Sequence, residues 1–495
     1  MSKYILAIDQ STSGTKGLLV NKNGEVIQKR TVHHRQIYPK AGWVEHDPIE
    51  IYENIKKIIR NLIENNKDIL DQLALLTITN QRETVVVWDK DTGKPIYNAI
   101  VWQCRRTTDI CKQLSEKGLG AKINKKTGLK LDPYFSASKV KWILEHVEGA
   151  RKKADEGKLL LGTMDSWIIW NLTNGRIHAT DVTNASRTLL YNIYTNDWDE
   201  ELLEIFDIPR SMLPDVRFSD ADFDMISDPD LPVQLPISGV IGDSQGALFG
   251  QHCVEKGMAK ATFGTGTSIM VYTDQPIEGK NGLVTSVAWG MNGQVKYAVE
   301  GILNTTGDII KWLKEDLELF DDFKECEELV KSIPDNNGVY LVPAFVGLGA
   351  PYWEPSARAA IFGMDRSTKK VHIIRAGLES IAYQVKDIIE LVKQESNIKT
   401  IELRVDGGAS KNEFLMQFLA DILGINVIVS NISDLSAMGS VYMGGLSEGI
   451  WQNFDELKKL NTTITLFRPI MDDAISNQYY TTWKSLVLQL INKSL

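Results

Sequence analysis

The first residues with chemical potential lie in one short stretch, from Ile5 to Val20. An apolar run ends at Asp9, small hydroxyl residues and glycines follow, and a second apolar run begins after Lys16. This order predicts a strand, a tight turn and a second strand. The N–H groups and hydroxyls of such a turn can converge on an anion, while Asp9 can hold a divalent cation beside phosphate. The same stretch also fits an ordinary hairpin loop rich in Ser and Thr.

A hydrogen-bond donor and an acceptor stand side by side at Arg82 and Glu83, between two predicted strands. A polyol needs both, because each of its hydroxyl groups donates and accepts a hydrogen bond. Trp102 offers an apolar face for the carbon side of such a ligand, and Tyr134 offers a hydroxyl. The alternatives are an exposed ion pair in a loop for Arg82 and Glu83, and a place in the core for the aromatic residues.

A second carboxylate, Asp243, follows another predicted strand and precedes a helix that begins with small residues. Asp243 would be a second carboxylate at a strand end, after Asp9, although an ordinary turn or cap aspartate would look the same. Asp165 and the polar run Thr183–Ser186 carry no role that the sequence assigns.

Local signals also predict the elements that must position these residues. Asp47 caps a helix that begins at Pro48, with apolar residues on one face, and further strands are predicted at 73–79 and 84–88. Three strands, a helix and further strands are typical of a ribonuclease-H-like core.

The second half of the chain repeats this pattern. Residues 259–271 again read as strand, Gly/Thr turn and strand, with Thr265 at the turn. Gly408 belongs to a Gly-Gly turn before a helix, with a capping box predicted at Ser410 and Glu413, and such a turn lets a nucleotide approach the backbone.

The repeat predicts an α/β fold of two ribonuclease-H-like domains, as in actin-like ATPases, flanking a central cleft that holds ATP. We expect an N-terminal domain at 1–247, with the substrate pocket and first phosphate loop, and a nucleotide-binding C-terminal domain at 248–495.

Composition narrows the class of protein. A length of 495 residues exceeds what one core supports, and a net charge of -9 with scattered basic residues argues against a nucleic-acid partner. The four cysteines form no CxxC pair, which favours a reducing, cytoplasmic setting. We expect neither a signal peptide nor a membrane span, because the apolar runs are too short.

With these residues in view, the chain resembles the FGGY family of carbohydrate kinases, and most closely its glycerol-phosphorylating members. The resemblance covers nearly the whole length, and residues 134–146 and 359–379 fit the two family signatures apart from Gly377. Its other motifs are Asp9-Gln10 and the stretches 38–48, 78–84, 102–106, 132–136, 347–353 and 404–409.

The resemblance implies two domains that close over ATP-Mg²⁺ and a small polyol, with Asp243 as the general base. It assigns the substrate-binding residues to Arg82, Glu83, Trp102, Tyr134, Asp243, Ser244, Gln245 and Ser268. It assigns the nucleotide contacts to Thr12, Ser13, Gly14, Lys16, Thr265, Gly307, Lys311, Gly408 and Asn412. Asp9 and Asp243 would hold magnesium. A homodimer or homotetramer is also implied.

Three positions depart from the family pattern. Ser244 replaces a glutamine and Ser268 a phenylalanine of the glycerol pocket, and Lys311 replaces a nucleotide-contacting glutamine. Two added hydroxyls would make the pocket larger and more polar, and a buried hydroxyl left unpaired by a small ligand costs roughly 1–3 kcal/mol.

The sequence therefore predicts an ATP-dependent kinase for the terminal hydroxyl of a polyol, glycerol first, giving glycerol 3-phosphate. A first alternative is a longer polyol or keto-sugar, such as a tetritol, erythrulose or xylulose, because of Ser244 and Ser268. A second alternative is an actin-like ATPase without a small-molecule acceptor.

Overall fold

The computed structural model describes residues 3–279, 281–460 and 464–492. The strands are β1 (Tyr4–Gln10), β2 (Gly14–Asn21), β3 (Val26–His33), β4 (Glu45–His46), β5 (Leu73–Asn80), β6 (Val85–Asp89), β7 (Ala99–Ile100), β8 (Leu159–Thr163), β9 (Ala179–Asp181), β10 (Tyr191–Asn192), β11 (Asp197–Trp198), β12 (Asp215–Arg217), β13 (Ile237–Gly242), β14 (Met258–Phe263), β15 (Thr267–Tyr272), β16 (Val284–Met291), β17 (Gln294–Leu303), β18 (Tyr340–Val342), β19 (Ala360–Phe362), β20 (Glu402–Gly407), β21 (Asn426–Ser430) and β22 (Ile464–Phe467).

The helices alternate with these strands along the chain. They are α1 (Pro48–Glu64), α2 (Thr108–Glu116), α3 (Gly120–Thr127), α4 (Ser136–His146), α5 (Ala150–Asp155), α6 (Met164–Leu172), α7 (Val182–Ala185), α8 (Glu200–Phe206), α9 (Asp243–Gly250), α10 (Gly307–Lys311), α11 (Phe323–Lys331), α12 (Lys370–Ser396), α13 (Glu413–Leu423), α14 (Leu435–Ser447), α15 (Phe454–Leu460) and α16 (Asp473–Asn492).

The chain divides into two compact units. The first comprises Met1–His252, Thr285–Tyr297 and Ser433–Thr462, and the second comprises Cys253–Val284, Ala298–Ile432 and Thr463–Leu495. Two segments from the second half of the sequence therefore belong to the first unit: the outer part of the β16–β17 hairpin, and α14 with α15.

The central sheet of the first unit has the strand order β13-β5-β1-β2-β3. β1, β2 and β3 are antiparallel, whereas β5 and β13 extend the sheet in parallel. Asp47 caps α1 as predicted, accepting hydrogen bonds from the N–H groups of Ile49 and Glu50. α1 packs closely on β2, because a Cβ at Gly17 would lie only 2.2 Å from the Ile58 side chain.

The second unit repeats this topology. Its sheet has the strand order β16-β17-β15-β14-β20-β21-β22. β17, β15 and β14 are antiparallel, and β20 and β21 continue in parallel. The same arrangement of three antiparallel and two parallel strands in both units confirms the predicted pair of ribonuclease-H-like domains.

The long helix α12 carries a buried carboxylate into the core of the second unit. Asp387 accepts hydrogen bonds from the hydroxyls of Tyr352, at 2.8 Å, and Tyr480, at 2.6 Å. Burial raises the pKa of Asp387 to about 6, and the two hydroxyls oppose that rise without cancelling it. The folded protein therefore binds this proton more tightly than the unfolded chain, whose Asp has its ordinary pKa.

Replacing Asp387 with Asn is expected to change how stability depends on pH. Between about pH 4 and 6 the folded protein holds the Asp387 proton more tightly, so the free energy of unfolding of the parent falls as pH rises through this window. Asn cannot ionise, so the difference in unfolding free energy, variant minus parent, should increase by on the order of 3 kcal/mol from pH 4 to 7. Urea unfolding at several pH values measures this, with exposed Asp316→Asn as the control. A difference independent of pH would contradict the prediction.

Candidate functional site

The turn between β1 and β2 forms the predicted Ser/Thr loop. The N–H and the hydroxyl of Ser11 both donate to the Gly14 carbonyl, at 2.9 and 2.8 Å. A side chain at position 14 would lie 2.8 Å from the Val32 carbonyl oxygen, so glycine lets β2 approach β3 here. At the tip, Thr12 is partly buried and Ser13 is exposed. The tip of the turn is therefore accessible from solvent, and the binding of an anion there stays a prediction.

Asp9 and Lys16 face each other across the strand pair. Lys16 Nζ lies 3.6 Å from Asp9 Oδ2 and donates to Asp434 Oδ1 at 2.9 Å. Burial raises the pKa of Asp9 to about 6; Lys16 acts against this rise, whereas the charges of Asp243 and Asp434 add to it. Burial lowers the pKa of Lys16, but Asp9 and Asp434 outweigh it, so the net pKa is raised. Lys16 is therefore a firmly charged cation among carboxylates.

Arg82 links the side chains of several residues that are predicted to bind the substrate. Its Nε lies 3.1 Å from Asp243 Oδ1 and 3.9 Å from Glu83 Oε1, and its terminal nitrogen donates to Gln245 Oε1 at 3.2 Å. The Arg82 and Glu83 side chains are 5% and 2% exposed, so the alternative of an exposed loop pair is wrong. Asp243 is 38% exposed and therefore keeps an accessible carboxylate edge. Its neighbour Ser244 donates its backbone N–H to Asp243 Oδ1.

Two aromatic side chains contact each other in the same unit. The rings of Trp102 and Tyr134 lie 5.3 Å apart, and both side chains are only partly buried. The Trp102 indole N–H donates to the Thr12 hydroxyl at 2.9 Å. This bond places Trp102, which the resemblance assigns to substrate binding, directly beside Thr12, which it assigns to nucleotide binding.

α9 presents Asp243 from its first position and is held by unusually close packing. A Cβ at Gly439 of α14 would lie 1.9 Å from the Gly246 carbonyl oxygen, and a Cβ at Gly246 would lie 2.7 Å from the Ser436 carbonyl oxygen. The two helix backbones therefore touch without side chains between them. Such packing leaves little freedom for the position of Asp243.

The second unit holds the remaining predicted residues. Thr265 is exposed at the β14–β15 turn, and its carbonyl accepts from the N–H of Thr306, just before α10. Gly307 begins α10, where a Cβ would lie 2.2 Å from the Gly264 carbonyl oxygen. The turn and the start of α10 are thus brought together, which supports a shared role for Thr265 and Gly307.

Gly408, Asn412 and Lys311 have different surroundings in this unit. Gly408 is exposed, with open space where a Cβ would stand. Asn412 caps α13 by accepting from the Leu415 N–H at 2.8 Å. The capping box predicted at Ser410 is wrong, because that hydroxyl donates to the Gly407 carbonyl one turn earlier. Lys311 is exposed and lies 3.7 Å from Glu315.

Comparison with known proteins matches both halves of the chain to one family. Residues 4–250 match the N-terminal domain of the FGGY family of carbohydrate kinases, and residues 259–448 match its C-terminal domain. The chain belongs to the FGGY family of carbohydrate kinases.

Similar proteins within the family are glycerol kinases. The chain is 48% identical over 486 residues to glycerol kinase 2 of Thermotoga maritima, covering 98% of each chain. It is 49% identical over 488 residues to glycerol kinase of Caldanaerobacter subterraneus subsp. tengcongensis, again covering 98% of each. The crystal structure of Plasmodium falciparum glycerol kinase with ADP superposes with a TM-score of 0.95 at 36% identity, covering 99% of this chain and 98% of that one.

Ser268, one of the positions at which this FGGY kinase departs from the family pattern, has hydrogen-bond partners that the sequence did not show. Ser268 lies on β15, where its hydroxyl donates to Glu300 Oε1 at 2.9 Å and accepts from Lys260 Nζ at 3.3 Å. The hydroxyl is therefore satisfied within its own unit. The argument that a small ligand would leave it unpaired does not hold.

Three residues that organise the site of this FGGY kinase were missed in the sequence. Asp434 pairs with Lys16, although 418 positions separate them. Lys139 is fully buried and donates to the carbonyls of Pro133, Tyr134 and Phe135 at 2.6–3.0 Å, which fixes the segment that carries Tyr134. Arg187 binds Glu83. Only Lys139 left a signal, as a lysine among the apolar residues of the stretch that follows Tyr134.

Proposed function

We propose that this FGGY kinase transfers the γ-phosphoryl group of ATP to a terminal hydroxyl of glycerol, forming glycerol 3-phosphate and ADP. Identities of 48–49% to glycerol kinases over 98% of both chains support this substrate. The observation that carries the chemistry is the partly exposed Asp243 carboxylate, held by buried Arg82 beside Glu83.

Each residue of the acceptor cluster has a role that its chemistry supports. Asp243 accepts the proton of the attacking hydroxyl as its oxygen bonds to the γ-phosphorus, and the bond from that phosphorus to the leaving ADP oxygen breaks. Arg82 donates to hydroxyl oxygens and Glu83 accepts from hydroxyl protons. Trp102 and Tyr134 cover the carbon side of the acceptor.

Lys16 and the β1–β2 turn are proposed to hold transferred phosphate. Phosphoryl transfer depends on positioning and charge neutralisation, and Lys16 supplies a permanent positive charge beside Asp9. In the second unit, Thr265, Gly307, Gly408, Asn412 and Lys311 are proposed nucleotide contacts. For Asn412 the side-chain oxygen is already used by the helix cap, so a contact would involve its amide nitrogen.

Asp9 and Asp243 are the proposed magnesium residues. Among the described residues, no group of three or more His, Cys, Asp or Glu side chains is arranged to hold a metal ion. Magnesium in kinases is held by one or two carboxylates together with phosphate oxygens and water, so a pair of carboxylates fits it. When bound, Mg²⁺ neutralises charge on the phosphates.

The proposal includes the assembly and the cellular location of the protein. A homodimer or homotetramer is proposed from family resemblance. No helix in the described ranges is long and apolar enough to cross a membrane. All four cysteines lie in described residues as free, buried thiols, which supports the proposed cytoplasmic setting.

An acceptor panel tests the proposed substrate. ADP release is measured with glycerol, dihydroxyacetone, erythritol, threitol, erythrulose and xylulose at fixed ATP-Mg²⁺. We expect the highest kcat/KM with glycerol, because the Ser268 hydroxyl that argued for a larger acceptor is already paired with Glu300. A four- or five-carbon acceptor preferred by tenfold or more would contradict glycerol and restore the argument from Ser244 and Ser268.

A further inference from the structure

Arg187 makes a short charged contact to Glu83, one of the predicted substrate-binding residues. Its Nε donates to Glu83 Oε1 at 2.6 Å, and the two side chains are 0% and 2% exposed. Glu83 has a φ of 61°, a left-handed conformation that is uncommon for Glu, and its carbonyl accepts from the Ser136 hydroxyl at 2.9 Å. Strained residues persist where their surroundings hold them, and such residues cluster at functional sites.

The other end of the Arg187 guanidinium is tied to the outer part of the β16–β17 hairpin. Its NH1 donates to the Ser286 hydroxyl at 3.2 Å. The next hairpin residue, Val287, receives a hydrogen bond on its carbonyl from Gln245, whose Oε1 accepts from Arg82. The hairpin tip, residues 285–297, thus contacts Arg187, which pairs with Glu83, and Gln245, which binds Arg82, the partner of Asp243.

The hairpin tip is itself held by two hydrogen bonds to other segments of the first unit. The N–H of Thr285 donates to the Gly128 carbonyl, and the N–H of Val287 donates to the Ser186 hydroxyl. Ser186 lies in the polar run to which the sequence assigned no role. The tip therefore offers a fixed support for Arg187.

We propose that Arg187 is a positioning residue, which orients the Glu83 carboxylate toward the acceptor hydroxyls while the 285–297 hairpin tip holds Arg187 in place. This inference rests on the proposed function. A planar guanidinium can bind a carboxylate and a hydroxyl in fixed directions, whereas an ammonium acts as a point charge. Without Arg187, a buried Glu83 loses the charged partner at 2.6 Å that fixes its orientation, and keeps Arg82 at 3.9 Å.

Kinetics of Arg187 variants test the inference. Arg187→Met should raise the KM for glycerol by about 10- to 100-fold, because a misoriented Glu83 loses its charged hydrogen bonds to the glycerol hydroxyls. The KM for ATP should stay within about twofold of the parent. Arg187→Lys should be intermediate, because it keeps the charge but not the fork. Ser286→Ala should raise the glycerol KM by a few-fold.

A buried pair of the same kind in the second unit provides a matched control. Arg375 Nε donates to Glu379 at 2.8 Å, with side chains 8% and 0% exposed. Arg375→Met should lower the thermal midpoint as Arg187→Met does, but without a selective rise in the glycerol KM. A wild-type glycerol KM in Arg187→Met, or an equal rise in Arg375→Met, would overturn the inference. If Arg187→Met does not fold, Arg187→Lys decides, and an unchanged glycerol KM overturns it.

The wild-type enzyme in the same assay separates the two proposals. Absence of turnover with every acceptor of the panel would refute the proposed function and, with it, this inference. Turnover by wild type together with unchanged KM in the variants would refute the role of Arg187 alone.

Discussion

Replacing Asp243 with Asn is expected to slow phosphoryl transfer to glycerol by about 10²- to 10⁴-fold. The amide has nearly the same shape, so α9 should remain packed on α14 and the fold should be unchanged. It cannot take the proton of the attacking hydroxyl, and it no longer carries the charge that pairs with Arg82. Single-turnover measurement of glycerol 3-phosphate, with ATP-Mg²⁺ in excess, reports the chemical step directly.

A second aspartate of the first unit supplies the control. Asp230 lies 2.9 Å from Lys56 in an ion pair with no proposed catalytic role. Asp230→Asn should stay within about twofold of the parent, because a surface ion pair contributes little to stability. A rate for Asp243→Asn close to that of Asp230→Asn would remove Asp243 from the mechanism.

Replacing Lys16 with Met has the second largest expected effect, a loss of about 10²- to 10³-fold in kcat. Lys16 is the cation beside the phosphate turn, and its raised pKa keeps it charged at all working pH values. Without the Lys16 charge, the negative charge on the transferred phosphate is neutralised less well. Buried Asp9 also loses its positive neighbour. Thermal stabilisation by glycerol should persist, because Arg82 and Glu83 remain.

Lys29 provides the matched comparison, because it pairs with the same partner. Its Nζ lies 2.5 Å from Asp434 Oδ2, yet the side chain is 41% exposed, and Asp434, not Asp9, is the acid it pairs with. Lys29→Met should keep kcat within about threefold of the parent. Equal losses in both variants would mean that Lys16 acts only by holding Asp434.

Local features of the fold could be predicted from the sequence because their causes are local. The β1–β2 hairpin follows from two apolar runs around a Ser/Gly turn, and the start of α1 follows from Asp47 and Pro48. The predicted cap of α13 is wrong by two residues, because the side chains of Ser410 and Asn412 can both cap a helix. Only the backbone path shows that Asn412 reaches the Leu415 N–H.

Partners distant in sequence could not be predicted. Nothing near Lys16 indicates Asp434, because the pair forms only when the segment before α14 returns to the first unit. The contact of Arg187 with Ser286 likewise depends on a hairpin from the second half of the chain, and its partner Glu83 lies 104 positions away. Ser268 is hydrogen-bonded to Glu300 and Lys260. These partners remove the argument for a larger acceptor at this position, which rested on residue type alone.

The most direct test of the central claim is the stoichiometry of ADP and phosphoester formed by the wild-type enzyme with ATP-Mg²⁺ and glycerol. Phosphorus NMR and an ADP assay on the same sample measure both products. A kinase in which Asp243 activates an acceptor hydroxyl should give one glycerol 3-phosphate for each ADP, with little ADP when glycerol is omitted. Release of ADP and inorganic phosphate at a rate independent of glycerol would instead identify an actin-like ATPase and contradict the account.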